Sequence, residues 1–182
     1  MKTLGYYNGK ISPLQELMIP ANDRCVYYGD GVYDAAYGRC GNIFAADEHI
    51  ERFMNSCRML SITPGFSNSE LKAVLYRLVE EAEADDFCLY WQMSRATAMR
   101  KHSFPDESKP NLLITIRPHE MLDVSKKRLS LHSVEDNRYF YCNIKTINLI
   151  PNVFAAEAAK RAGCDEAVFV RNGYVTEGSH SN

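Results

Sequence analysis

Two amphipathic helices set between strand-like runs constrain this chain more than any other feature. From Asp47 onward the apolar residues Ile50, Phe53, Met54, Cys57 and Leu60 recur with the 3.6-residue period of a helix. Asp47 is of the residue type that caps a helix N-terminus. A second helix opens at Ser67, where Glu70 three residues on completes a capping box. Its apolar face is Leu71, Val74, Leu75, Leu78 and Val79. Ahead of these helices lies Tyr6-Tyr7-Asn8-Gly9-Lys10-Ile11, a hairpin in which Asn-Gly supplies the positive φ of a type I′ turn. Residues 26–28 and 32–40 are strand-like, and Gly41-Asn42 makes a second turn before Ile43-Phe44. Beyond the helices, residues 87–95 and 111–117 read as strands across the polar stretch 97–110. Residues 1–118 thus make a complete α+β unit.

A linker is expected at 119–123. A strand at 129–134, an irregular stretch, and a helix over 151–162 stopped by Gly163 follow it. A hairpin over 167–176 turns at Asn172-Gly173. Two hairpin-like pieces and one helix are too little to bury a core. Residues 124–182 are therefore expected to be the beginning of a second domain, and the chain a fragment of a longer protein or a truncated product.

Composition narrows the function classes. A net charge of −2 offers no basic field for nucleic acid or an anionic membrane surface. No apolar run reaches the ~18 residues of a membrane span, and residues 1–7 hold no secretory stretch. Six cysteines, at 25, 40, 57, 88, 142 and 164, show neither C-x-x-C spacing nor a zinc pattern. No metal site is expected. The cysteines read as reduced core residues, and the expected compartment is the cytoplasm.

A few residues ask for a chemical reason. Lys145 is the one charge in Cys142-Asn143-Ile144-Lys145-Thr146-Ile147-Asn148-Leu149-Ile150. It fits a lysine snorkelling from a strand edge. The less common reading is an amine whose burial disfavours the ammonium form and leaves a nucleophile able to form a Schiff base. Thr176-Glu177-Gly178-Ser179-His180-Ser181-Asn182 fits a polar turn, or a carboxylate for a cationic ring nitrogen beside backbone N–H groups for a phosphate. Arg52 fits a solvated helix position or a phosphate ligand. Arg100-Lys101-His102 lies in a polar loop that could clamp a carboxylate. Tyr28-Gly29-Asp30-Gly31-Val32-Tyr33 is glycine-rich without P-loop or dinucleotide spacing.

Taken in order, these segments resemble the class IV (fold type IV) pyridoxal-phosphate enzymes along the whole chain. Tyr28–Tyr33 looks like the family's early glycine-rich strand. Glu48-His49-Ile50-Glu51-Arg52-Phe53 resembles its helix whose arginine binds the cofactor phosphate. Asn143–Asn148 resembles the Schiff-base lysine segment. The stretch from Thr176 resembles the T-E-G-S-x-S-N signature, whose glutamate pairs with the pyridine nitrogen. The resemblance implies a two-domain fold with Lys145, Arg52, Glu177 and Ser181 on pyridoxal phosphate, and Lys145 as the catalytic residue.

Within that family, Arg100-Lys101-His102 resembles the R-x-H carboxylate clamp of the D-amino-acid aminotransferases, with Tyr33 as third member. In those relatives the arginine and histidine come from the neighbouring subunit, which implies a homodimer. The implied reaction is transamination between a D-amino acid such as D-alanine and a 2-oxo acid, 2-oxoglutarate or pyruvate. Aminodeoxychorismate lyase and branched-chain aminotransferase are the alternatives within the class, and a non-catalytic fragment is the alternative outside it. Two departures stand out: Asp34 where close relatives have Glu, and His180 in place of the commoner Ser.

Overall fold

The protein is described by a computed structural model covering residues 2–107, 109–121 and 125–181. It divides into two compact units, Met1–Met121 with Asn143–Ile147, and Leu122–Cys142 with Asn148–Asn182. Positions 122–124 of the expected linker and second domain lie outside the described residues.

The first unit is an antiparallel sheet covered by two helices. β1 (Leu4–Tyr7) and β2 (Lys10–Pro13) form the N-terminal hairpin. Asn8 and Gly9 at its tip have φ of 46° and 102°, as a type I′ turn requires. β3 (Gly31–Arg39), β4 (Asn42–Ile43), β5 (Asp86–Ser94) and β6 (Asn111–Pro118) complete a sheet of order β2-β1-β6-β5-β3-β4. Phe87, Leu89, Trp91 and Met93 alternate along β5 onto one face and are all buried. Against them pack Ile50, Phe53 and Cys57 of α2 (Ala46–Met59) and Leu71, Leu75, Leu78 and Val79 of α3 (Asn68–Ala82). Full burial of each such side chain stabilises by about 1.5–3 kcal/mol, so this two-layer core carries the unit. The capping box at α3 is present as expected, with Ser67 and Glu70 exchanging their bonds.

Three local expectations are corrected. Residues 26–28 are not a strand but the end of α1 (Arg24–Tyr28). The Asp23 carboxylate accepts the Cys25 N–H at 2.8 Å, and Gly29 at φ 62° closes the turn, overriding the strand preference of Val-Tyr-Tyr. Asp47 does not cap α2. Ala45 holds that position at φ 47°, while Asp47 lies in the first turn and binds Lys72 of α3 at 2.8 Å. The second turn is Cys40-Gly41, both at positive φ, one residue earlier than expected. The cysteines are not mainly core residues either. All six are free thiols, but only Cys57 is buried, and burial pushes its thiol up to about 12.

The second unit is a β-α-β crossover with a hairpin added. β7 (Leu131–Glu135) runs parallel to β8 (Glu166–Arg171), joined through α4 (Ile150–Arg161), and β9 (Tyr174–Gly178) turns back beside β8. The expected two hairpin-like pieces are thus one hairpin and one parallel pair. Ala155, Ala159, Ala167 and Phe169 form a small buried cluster, so this unit does bury a core, though a slight one.

Segment Asn143–Ile147 packs with the first unit rather than with the chain on either side of it. The cause is backbone pairing at the open stretch of β3. Tyr33 N–H donates to the Lys145 carbonyl at 2.9 Å, and Ile147 N–H donates to Gly31 O at 3.2 Å. Gly31 permits this approach, because a Cβ there would stand 3.2 Å from Ile147 and 2.4 Å from the Met93 carbonyl.

Candidate active site

Along β3 successive side chains alternate between faces, which sends Tyr33 and Asp34 in opposite directions. Asp34 points under the helices and is fully buried. A buried carboxylate needs partners, and α2 supplies them. His49 and Arg52 are three residues apart, hence on one helix face. Arg52 donates through Nε to Oδ2 at 2.8 Å and through Nη2 to Oδ1 at 2.7 Å, a bidentate pair. His49 Nδ1 lies 2.9 Å from Oδ1, and a proton on that nitrogen serves the carboxylate. The Arg52 side chain nevertheless stays 42% exposed, so its guanidinium is fixed in place and still open to an anion.

Beside this pair stands Lys145. Its backbone N–H donates to Ser56 Oγ of α2 at 3.2 Å, so the residue is tied to β3 through its carbonyl and to α2 through its amide. Its Nζ lies 4.5 Å from the centre of the Tyr33 ring and donates to Tyr33 Oη at 3.4 Å. Burial lowers the Lys145 pKa, the Arg52 charge lowers it further, and Asp34 opposes the shift. The amine is thereby driven toward its neutral, nucleophilic form. Burial, followed by the Asp34 charge, raises the Tyr33 pKa, so its phenol keeps its proton as a donor. Tyr33 is itself stacked on Tyr90, ring centres 5.5 Å apart.

The lowered Lys145 pKa carries a signed stability consequence. Near neutral pH the folded state holds an ammonium in a place that disfavours it, so Lys145→Met is expected to raise Tm in the cofactor-free protein. As pH climbs from the lowered folded value toward the ordinary 10.5, the folded amine sheds its proton before the unfolded one does. Wild type then gains on the variant and the difference closes. Thermal melts across that range check it; a gap that widens with pH would contradict the assignment.

Tyr33, Arg52 and Lys145 are thus brought together, while Arg100 and His102 are not placed with them. Both are exposed, on the loop after β5, and both face the Tyr28 ring at 5.4 Å. Glu177 and Ser181 lie in the second unit. Glu177 forms an ion pair with Arg138, which grips buried Asp136 bidentately at 2.9 Å. Ser181 Oγ donates to Glu166 Oε2 at 2.6 Å, and the backbone N–H groups of His180 and Ser181 converge on Glu166 Oε1. Asn182 of that signature lies outside the described residues.

Sequence reasoning missed Asp34 as the anchor of Arg52 and treated it as a mild departure. The available signal was a carboxylate at an inward strand position, followed by a helix carrying His and Arg at i and i+3. It also missed Arg138 beside Glu177, for which no local pattern exists.

A half-buried amine, a braced arginine and a phenol in one place agree with what the chain matches among known proteins. The family model for amino-transferase class IV matches residues 31–182. The chain belongs to the class IV amino-transferase family. A D-alanine aminotransferase of Bacillus licheniformis is 34% identical over 183 residues, covering 100% of this chain and 64% of that protein. One from Staphylococcus haemolyticus is 32% identical over 179 residues, covering 97% and 64%. The chain therefore spans about 64% of the length of these curated relatives. The solved branched-chain amino acid aminotransferase of T.th. with pyridoxamine 5'-phosphate superposes at a TM-score of 0.82 with 21% identity, covering 97% of this chain and 61% of that one. The branched-chain aminotransferase of Thermoproteus uzoniensis with norvaline gives 0.82 at 19% identity, covering 97% and 62%. At such identities these likenesses establish the α+β fold of class IV aminotransferases. Among the described residues no helix is long and apolar enough to cross a membrane, and no group of three or more His, Cys, Asp or Glu side chains could hold a metal ion.

Proposed function

We propose that the full-length protein is a pyridoxal-phosphate-dependent D-amino-acid aminotransferase, exchanging an amino group between a D-amino acid such as D-alanine and 2-oxoglutarate or pyruvate. The observation that carries this reading is the Lys145 amine, its pKa lowered by burial and by the Arg52 charge, beside Arg52 and Tyr33. The named relatives are D-alanine aminotransferases, and the donor set suits the cofactor: an amine for a carbonyl carbon, an open guanidinium for a phosphate, and a protonated phenol. Residues 1–118 would form the N-terminal domain, 119–123 the linker, and 124–182 the start of the cofactor-binding domain.

Bound pyridoxal phosphate supplies an electrophilic carbon that accepts the amino group and a ring that takes up the electron pair when the substrate Cα–H bond breaks. Arg52, braced by Asp34, would hold the phosphate. Lys145 would hold the cofactor through its amine and, when that amine is free, would carry the substrate α-proton. Glu177 would serve as the carboxylate that keeps the pyridine nitrogen protonated. The Ser181 hydroxyl would exchange Glu166 for the phosphate. Tyr33 donates to the substrate carboxylate. Arg100 and His102, set apart from Tyr33 within one chain, would complete that grip from a second copy in a homodimer.

Gripping the carboxylate on one side leaves the Cα–H bond facing Lys145 for one enantiomer only. An assay of the full-length protein with D- and L-alanine against 2-oxoglutarate tests this, and D-alanine is expected to be preferred. Arg100→Ala should raise KM for D-alanine roughly ten- to a hundredfold, the worth of one charge-assisted contact, while cofactor absorbance is retained. Preference for L-alanine or L-leucine would reject the D-specific reading.

A further inference from the structure

The loop that carries Arg100 and His102 is held from below by a buried ionic cluster unrelated to the cofactor residues. Asp30 sits between two arginines whose side chains are each only 4% exposed. Arg95, at the end of β5, grips it bidentately at 2.9 and 3.0 Å, and Arg24, the first residue of α1, donates Nε to it at 2.7 Å. Burial alone would raise the Asp30 pKa, but the bonds from Arg95 and Arg24 outweigh it and hold the carboxyl below its ordinary value.

Both arginines have hydrogen-bonding capacity beyond Asp30. Arg24 Nη1 donates to the Lys101 carbonyl at 2.7 Å and to the Ser103 carbonyl at 3.3 Å, and its Nη2 to the His102 carbonyl at 3.4 Å. Arg95 lies over the Phe104 ring at 3.6 Å and donates to the carbonyls of Leu60 and Ser61. Three consecutive loop carbonyls therefore end on one guanidinium. The Tyr28 ring, at the other end of α1, lies under Arg24, Arg100 and His102. A loop otherwise rich in exposed polar residues is pinned along its backbone, while the Arg100 and His102 side chains stay exposed.

We propose that Arg24 is a positioning residue for the substrate: it acts through the backbone of residues 101–103 to present Arg100 and His102 to the substrate carboxylate. This rests on the carboxylate-grip reading given above. The fork geometry is essential, because one planar guanidinium reaches Asp30 and three carbonyls at once, which an ammonium cannot do. Asp30 remains bidentately paired to Arg95 when Arg24 is changed, so the substitution leaves no orphaned buried carboxylate. Arg95 also holds the segment after α2, so its loss would unsettle the core, and Arg24 is the position to test.

The experiment compares wild type, Arg24→Gln and Arg24→Lys in the full-length protein. Trypsin cleavage after Arg100 and Lys101 reports the anchoring of the loop, and steady-state kinetics with D-alanine reports its use. Both variants are expected to be cleaved at least roughly tenfold faster there, and to show KM for D-alanine raised about tenfold with kcat within about threefold. Cofactor absorbance should be unchanged. Unaltered cleavage would overturn the anchoring, and faster cleavage with unaltered KM would overturn its role toward substrate. A fall in kcat and cofactor absorbance at constant KM would reduce Arg24 to a structural residue, also overturning the proposal. If wild type itself takes up no pyridoxal phosphate, the proposed function fails, while the cleavage comparison still decides the anchoring.

Discussion

Lys145→Ala in the full-length protein is expected to abolish the cofactor's bound-state absorbance shift and to slow transamination by at least roughly 10²–10⁴-fold, the usual worth of a positioned proton-transfer group. The size of the effect follows from how many tasks fall on one amine. It is the proposed nucleophile, its pKa lowered by burial and Arg52, and it stands against the Tyr33 hydroxyl that would receive the substrate carboxylate. Its removal takes away a half-buried amine whose charged form is disfavoured there and that lies outside the hydrophobic core, so Tm should not fall. Stopped-flow absorbance and an end-point transamination assay check both parts. Turnover within about tenfold of wild type would place the chemistry on another residue.

The second large effect is expected at Asp34, which touches neither substrate nor cofactor in this account. Asp34→Asn should weaken pyridoxal-phosphate binding by about tenfold, with kcat at saturating cofactor much less affected. The neutral amide cannot accept the bidentate pair from Arg52, and one charge-assisted bond is worth about 1.5–3 kcal/mol. The half-exposed Arg52 screens part of that, which puts the effect toward the lower end. Asp34→Glu should restore most of the affinity, because the carboxylate is kept. Cofactor titration by fluorescence quenching decides it; equal affinity in wild type and Asp34→Asn would mean that Arg52 needs no brace.

These expectations rest on contacts that differ in how legible they were. The Asn8-Gly9 turn, the Ser67–Glu70 box and the alternation along β5 are set by residues within a few positions of each other, and their periods can be read directly. α1 is a single turn decided by Asp23 and Gly29 against the strand preference of its own residues. The parallel pairing of β7 with β8 is separated by a whole helix, so no local pattern announces it. The candidate residues divide in the same way. Lys145, Arg52, Tyr33, Glu177 and Ser181 were nameable through family resemblance, because each sits in a short motif. The return of segment Asn143–Ile147 to β3, far back along the chain, is a backbone pairing without a side-chain signature. In the sequence Asp34 stands only as a departure from Glu, because its pairing with Arg52 depends on α2 lying over β3. The ties from Arg24 to the 101–103 carbonyls were hidden for the same reason, since carbonyl acceptors leave no trace in residue identity.

The most direct measurement is borohydride reduction of the full-length protein equilibrated with pyridoxal phosphate, followed by peptide mapping. The reduced cofactor is expected on the peptide containing Lys145, and Lys145→Ala is expected to carry none. A cofactor label on another lysine such as Lys160, or no label in wild type, would contradict it.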